Sequence, residues 1–217
     1  MTGAEEPTVG VVDRAERDSN GFARVVNLSD AVFAIAMTLL VLTIDVPDVA
    51  AGALAAALLA DLPQLGAYAL AFALVASQWY AHRKLFERLA FIEPGLTILN
   101  LVTLGLVTLV PFPTSVLGSY PTVTAGVAPF LSLFVVLTLA YLALIVRAHV
   151  VGAWIEPLPT QVFRRVVAAF GVGAATLLLG VVVSVWAPVP ALVLAAVNSA
   201  PVMAILRTVP AAYRLWF

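Results

Sequence analysis

The sequence predicts an all-α integral membrane protein that crosses the bilayer six times per subunit. Three observations predict it. Hydrophobic residues make up 63% of the 217 positions and charged residues only 11%, against about 45–50% and about 25% in soluble domains. The charges are also uneven: Glu5, Glu6, Asp13, Arg14, Glu16, Arg17, Asp18, Arg24 and Asp30 crowd into the first 30 residues, and the body that remains is too apolar for a solvated surface. Uncharged stretches then recur at the length of a bilayer crossing, roughly 20 apolar residues.

The first 20 residues mix both charge signs with Pro, Gly, Ser and Asn. Without the basic start and short apolar stretch of a signal peptide, they read as a flexible cytoplasmic tail. The chain thus divides into a tail over 1–20 and a six-helix transmembrane domain over 21–217. A first span is placed near 25–46. Only 14 uncharged positions separate Asp30 from Asp45, so a helix of sufficient length takes Asp30 into the membrane. A second, near 63–83, fills an uncharged run by itself. Residues 94–146 carry no Asp, Glu, Lys or Arg, which suits two spans near 95–117 and 124–146, divided at Pro111, Pro113, Gly118 and Pro121. Residues 166–206 are likewise uncharged, and Pro188 and Pro190 divide them into spans near 165–186 and 189–206.

Lys and Arg in the short loops set the orientation. Arg14, Arg17 and Arg24 precede the first span, and Arg83, Lys84 and Arg88 follow the second. Arg147, Arg164 and Arg165 lie between the fourth and fifth, and Arg207 and Arg214 follow the sixth. All eleven positive charges fall on one side, which is expected to be cytoplasmic together with both termini. The opposite loops carry Asp45, Asp48 and Asp61, which either attract cations to an outer mouth or only solvate a loop.

Several functions are excluded. A net charge of -1 leaves no basic excess for nucleic acid. Zero cysteines exclude disulfides, thiolate metal sites and cysteine nucleophiles. There is no Gly-rich phosphate loop, G-x-S-x-G elbow or H-E-x-x-H, and His82 and His149 are the only histidines. Neither an enzyme nor a resident cofactor is expected. A Thr-Val-Gly-Tyr-Gly filter and an Arg-periodic voltage sensor are also missing.

Ionisable residues inside a membrane are costly and mark function, which singles out Asp30. With Ile35 as zero, Leu28, Ala31, Thr38, Leu39 and Leu42 lie within about 60°, whereas Ser29 and Asp30 lie at about 120° and about 220°. The first helix therefore carries an aliphatic stripe with one threonine, and its carboxylate points off that stripe. By depth, Asp30 falls about 9 Å inside Arg24. Asn100 falls at a similar depth in the third span, and Trp79 and His82 share one face of the second. A structural network of Arg24, Ser29, Asp30, Trp79, His82 and Asn100 would satisfy the carboxylate. The competing assignment is a proton relay or ion ligand through Asp30 and His82. His82 alone also suits an interfacial position beside Arg83 and Lys84.

At these residues a family is recognisable. Arg24-Val25-Val26-Asn27-Leu28-Ser29-Asp30, followed by the apolar run to Leu42, resembles the signature of the transmembrane protein 175 family of potassium channels, R-x-x-x-F-S-D. Trp79-Tyr80-Ala81-His82-Arg83 is similar to that family's W-x-x-H-R pattern at the end of the second helix. Asn100 with Pro111-Phe112-Pro113-Thr114 is similar to its third. The likeness covers about the first 117 residues, and Leu28 stands where the motif has phenylalanine. Arg165-Val166-Val167 echoes Arg24-Val25-Val26 but lacks the Ser-Asp pair, so it reads as compositional.

The resemblance implies a homotetramer in the bacterial inner membrane, with the first helices lining a central pore. It implies a hydrophobic gate of Ile35, Leu39 and Leu42 that closes by dewetting. It places permeating potassium near Thr38, with no fixed metal, and other copies of the chain and membrane lipids as partners. The alternatives are a secondary transporter, which needs broken helices and a midplane substrate site, a proton-permeable channel, and a non-conducting interaction subunit.

Overall fold

In a bilayer every backbone N–H and C=O must be satisfied within its own segment, so the long apolar runs become helices. The computed structural model describes residues 15–210. Arg14, Arg214 and most of the tail expected over 1–20 lie outside the described residues. Strand β1 (Ala15–Glu16) leads into α1 (Asn20–Leu39), whose first turn Ser19 caps by accepting from the Phe22 N–H. A 3-10 turn, Leu40–Thr43, extends α1. The short helix α2 (Leu54–Ala60) precedes α3 (Leu62–Phe86), and strand β2 (Phe91–Ile92) follows. Then come α4 (Pro94–Thr108), α5 (Pro111–Ser119), α6 (Thr124–Val150), α7 (Thr160–Val183), α8 (Pro188–Val197) and α9 (Ser199–Leu206).

Among the described residues, five stretches are long and apolar enough to cross a membrane: 20–43, 94–119, 124–150, 160–183 and 188–206. The second in chain order, α3, makes six when joined to the segment Ala51–Ala60, from which it bends by 45°. The chain is a multi-pass helical membrane protein, with its spans in the order the charge-free runs predict.

Pro111 acts differently from its expected role as a divider between the third and fourth spans. Pro111 sits inside the third span and opens α5, where its missing N–H interrupts no helical bond. The turn to the next span lies at 120–123. The last span is broken at Asn198, between α8 and α9.

The arginine-bearing end is tied together by backbone. β1 pairs antiparallel with β2, so the last residues of the expected tail are joined to the bundle. The Arg17 guanidinium donates to the carbonyls of Glu87 at 2.6 Å and Leu89 at 3.3 Å. Ala90 N–H donates to the Ala153 carbonyl at 2.8 Å, and Ile155 N–H to that of Arg88 at 3.0 Å. Helix α6 ends with Gly152 at φ +67°, its N–H on the His149 carbonyl and the Ala153 N–H on that of Ala148. This left-handed cap satisfies carbonyls that the helix end would otherwise leave open, and only glycine adopts it without strain. Phe22, Phe86, Ile92, Leu144 and Trp154 pack beneath these ties, while Phe33, Leu40, Val107, Phe130 and Phe134 form a second core.

Candidate functional site

Helix α1 has two unlike faces. Phe22, Ser29, Phe33 and Ala36 are buried, and their angles cluster between about 100° and about 160° from Ile35. On the other side Leu28, Ile35, Leu39 and Leu42 are 47%, 56%, 43% and 74% exposed. Thr38 is exposed beside them, its hydroxyl donating to the Ile35 carbonyl at 2.8 Å. Because that bond uses the hydroxyl proton, the oxygen's lone pairs remain free as acceptors. The aliphatic stripe thus lies on the exposed side of α1, away from the buried arc.

The buried face is anchored by a polar chain. Ser29, His82 and Asn100 are all nearly solvent-free, at 1%, 2% and 1% exposure. Asn100 Nδ2 donates to Ser29 Oγ at 3.0 Å, and Ser29 donates to the Val25 carbonyl at 2.9 Å. With Nδ2 so engaged, Asn100 Oδ1 accepts from His82 Nε2 at 2.7 Å, which assigns the proton of His82 to Nε2. The His82 ring stacks on Phe86 at 4.3 Å and tilts against Phe33 at 5.4 Å. One amide therefore fixes the rotation of α1 against both α3 and α4.

Asp30 and Trp79 form a separate pair, Trp79 Nε1 donating to Asp30 Oδ1 at 2.9 Å. Asp30 is exposed in the single subunit. Arg24 is exposed too, and no hydrogen bond or ion pair joins it to Asp30 among the described residues. Six residues is about 240° around a helix, so the two side chains point about 120° apart on α1. Arg24 falls about 20° from Ile35, on the stripe. The single network read from depth is therefore two sets that meet on α3, one turn apart, with Arg24 in neither. A cavity of about 170 Å³, lined in part by Arg17, Asp30, His82, Arg83 and Glu87, lies between them and the arginine-bearing end.

At the opposite end Asp45 and Asp48 are exposed, and the Asp45 N–H donates to Gln64 Oε1 at 2.7 Å. Among the described residues no three acidic or histidine side chains are placed to hold a metal ion.

Sequence reasoning passes over one pair. Glu93 accepts from the N–H groups of Gly95 and Leu96 at the start of α4, and from Arg147 Nε of α6 at 2.9 Å. Arg147 beside it holds the carboxyl well below its ordinary range, at about 2. An acidic residue directly before Pro94-Gly95 is a helix-start signal, and it is the trace of this cap visible in the sequence.

These features define the class: a helical multi-pass membrane protein. The chain shares its fold, at a TM-score of 0.75, with the crystal structure of a lysosomal potassium-selective channel TMEM175 homologue from Chamaesiphon minutus. The superposition covers 86% of this chain and 99% of that one, at 24% identity. Residues 24–111 match the family model of the endosomal/lysosomal potassium channel TMEM175. The chain is 37% identical over 102 residues to a potassium channel of Streptomyces collinus, covering 46% of this chain and 50% of that one. It is 34% identical over 113 residues to a potassium channel of Chamaesiphon minutus, covering 51% and 55%. The chain spans about half the length of these curated relatives.

Proposed function

We propose that four copies of the chain form a potassium-permeable channel, conducting passively through a pore lined by α1. The observation that carries this reading is the exposed side of α1. An apolar helix face could simply meet lipid, but this side also carries Arg24, Asn27 and Thr38. Charged and amide side chains are expensive against hydrocarbon and belong on water-filled or protein-covered surfaces. The stripe therefore suits the axis of an assembly better than its periphery. The named function of the relatives supports the same reading.

In the tetramer, rings of Ile35, Leu39 and Leu42 form the constriction. A narrow apolar ring expels water and with it hydrated ions, so it closes the pore without a moving plug. Four Thr38 hydroxyls between these rings offer oxygen ligands that replace part of a cation's hydration shell. Ser29, Asn100 and His82 hold the rotation that aims the rings. The arginine-bearing end faces the cytoplasm of a bacterial cell, the chain sits in the inner membrane, and exposed Asp45 and Asp48 mark the outer mouth.

The reading is tested by flux from the full chain in liposomes under separate potassium, sodium and proton gradients. A channel passes potassium far faster than a carrier turns over, and a purely structural subunit passes none. Leu39→Asn and Ile35→Asn should each raise flux severalfold or loosen selectivity, because a polar ring lowers the dewetting barrier. Unchanged flux and selectivity in both variants, at normal expression, removes α1 from the pore.

A further inference from the structure

A half-open groove of about 360 Å³ lies between α3, α6, α7 and the broken last span. Its wall is largely apolar, with Leu70, Leu74, Tyr141, Phe170, Val202 and Met203 prominent, and no residue of α1 lines it. It extends from Leu70 to Ala81 along α3 and from Ala195 to Leu206 along α8 and α9. At 1.5 Å per residue each wall is about 16 Å long. That is about half the hydrocarbon thickness, the depth of one leaflet.

Both walls end on a cation. Lys84 follows the lining residue Tyr80 by one turn, and its Nζ lies 5.7 Å from the Tyr80 ring centre. Arg207 follows the lining residue Met203 by one turn, is exposed, and has no acidic partner among the described residues. Lys84 is shared with Glu87 at 3.4 Å, so Arg207 is the freer charge. An apolar slot one leaflet deep with basic groups at its interfacial end is complementary to one kind of molecule.

We propose that the groove seats an acyl chain of an anionic phospholipid from the leaflet on the arginine-bearing side, its phosphate met by Lys84 and Arg207. This goes beyond the channel reading and does not depend on it. The lipid would brace the seam between α3 and the last span, both of which line the groove.

The test is native mass spectrometry of the full chain in detergent, titrated with dioleoyl phosphatidylglycerol or dioleoyl phosphatidylcholine. The wild type should retain phosphatidylglycerol at least about fivefold better, the preference expected from one interfacial cation or more. Lys84→Gln with Arg207→Gln should abolish that preference while leaving phosphatidylcholine retention unchanged. Val202→Phe, which fills the groove, should lower retention of both lipids. Met203→Phe serves the same purpose should Val202→Phe fail to fold. Equal retention of the two lipids by the wild type overturns the proposal, as does a preference that survives the double charge variant. Loss of subunit association in the groove-filling variants, with bound lipid unchanged, would assign the groove to a second copy of the chain instead. No readout uses ion flux, so failure here leaves the channel reading standing.

Discussion

Asn100 uses both ends of its amide, and no other residue type of its size could do so. An alanine there leaves the His82 Nε2–H without a partner and the Ser29 oxygen without its donor in a layer closed to water. Each stranded buried group costs about 1–3 kcal/mol. Asn100→Ala should therefore lower stability by about 2–4 kcal/mol, read by thermal unfolding in detergent; a loss under 1 kcal/mol would mean the chain is slack. Asp30 is a milder case because it is exposed. Asp30→Ala should cost about 1–2 kcal/mol through the unpaired Trp79 N–H. A double-mutant cycle of Asp30→Ala with Arg24→Ala should show coupling below about 0.5 kcal/mol, since the two point about 120° apart on one helix. Coupling of about 1 kcal/mol or more would join them across a subunit boundary.

Helix α1 works as a two-faced element. Its buried arc of Phe22, Ser29, Phe33 and Ala36 decides its rotation, and the stripe is then presented as a consequence. Thr38 tests the stripe without disturbing the anchor, because its hydroxyl bonds only to its own helix. Thr38→Ala should preserve assembly and conduction while reducing discrimination between potassium and sodium. Reversal potentials under mixed-ion conditions that do not move would place selectivity elsewhere. At the other end of the bundle, the α6 cap depends on Gly152 at φ +67°. Gly152→Ala should cost about 1–2 kcal/mol, the strain of a left-handed residue with a Cβ.

For the molecule as a whole, the arginine-bearing end is where separate segments become one body. Glu93 joins α4 to α6 through Arg147 and caps α4 in the same geometry. Its carboxyl falls from 4.5 to about 2 on folding. A folded value below the unfolded one stabilises the protein above the unfolded value and loses that stabilisation as pH falls through the folded one. The melting temperature should thus drop by several degrees between pH 4.5 and about 2. Glu93→Gln should be less stable at neutral pH, by about 1–3 kcal/mol for a lost charged hydrogen bond, and should lack that acid-dependent step. An unchanged acid profile in Glu93→Gln would assign the step to another carboxyl.

The sequence by itself determines the spans, because absent charge over bilayer length has one physical solution, the helix. It also determines the stripe: a period of 3.6 residues converts the spacing of Leu28, Ile35, Leu39 and Leu42 directly into one direction. The separation of Arg24 from Asp30 is legible by the same angle, although depth alone suggests that they meet. Tertiary structure decides the rest. That Asn100 selects Ser29 and His82 while Trp79 takes Asp30 depends on how α3 and α4 are rotated against α1. That Glu93 meets Arg147, 54 positions away, depends on how α4 crosses α6. The pairing of Ala15–Glu16 with Phe91–Ile92 is too short to leave a periodic trace. Periodicity belongs to one helix, whereas the meeting of atoms from different helices is set by side-chain packing between them, which no single segment encodes.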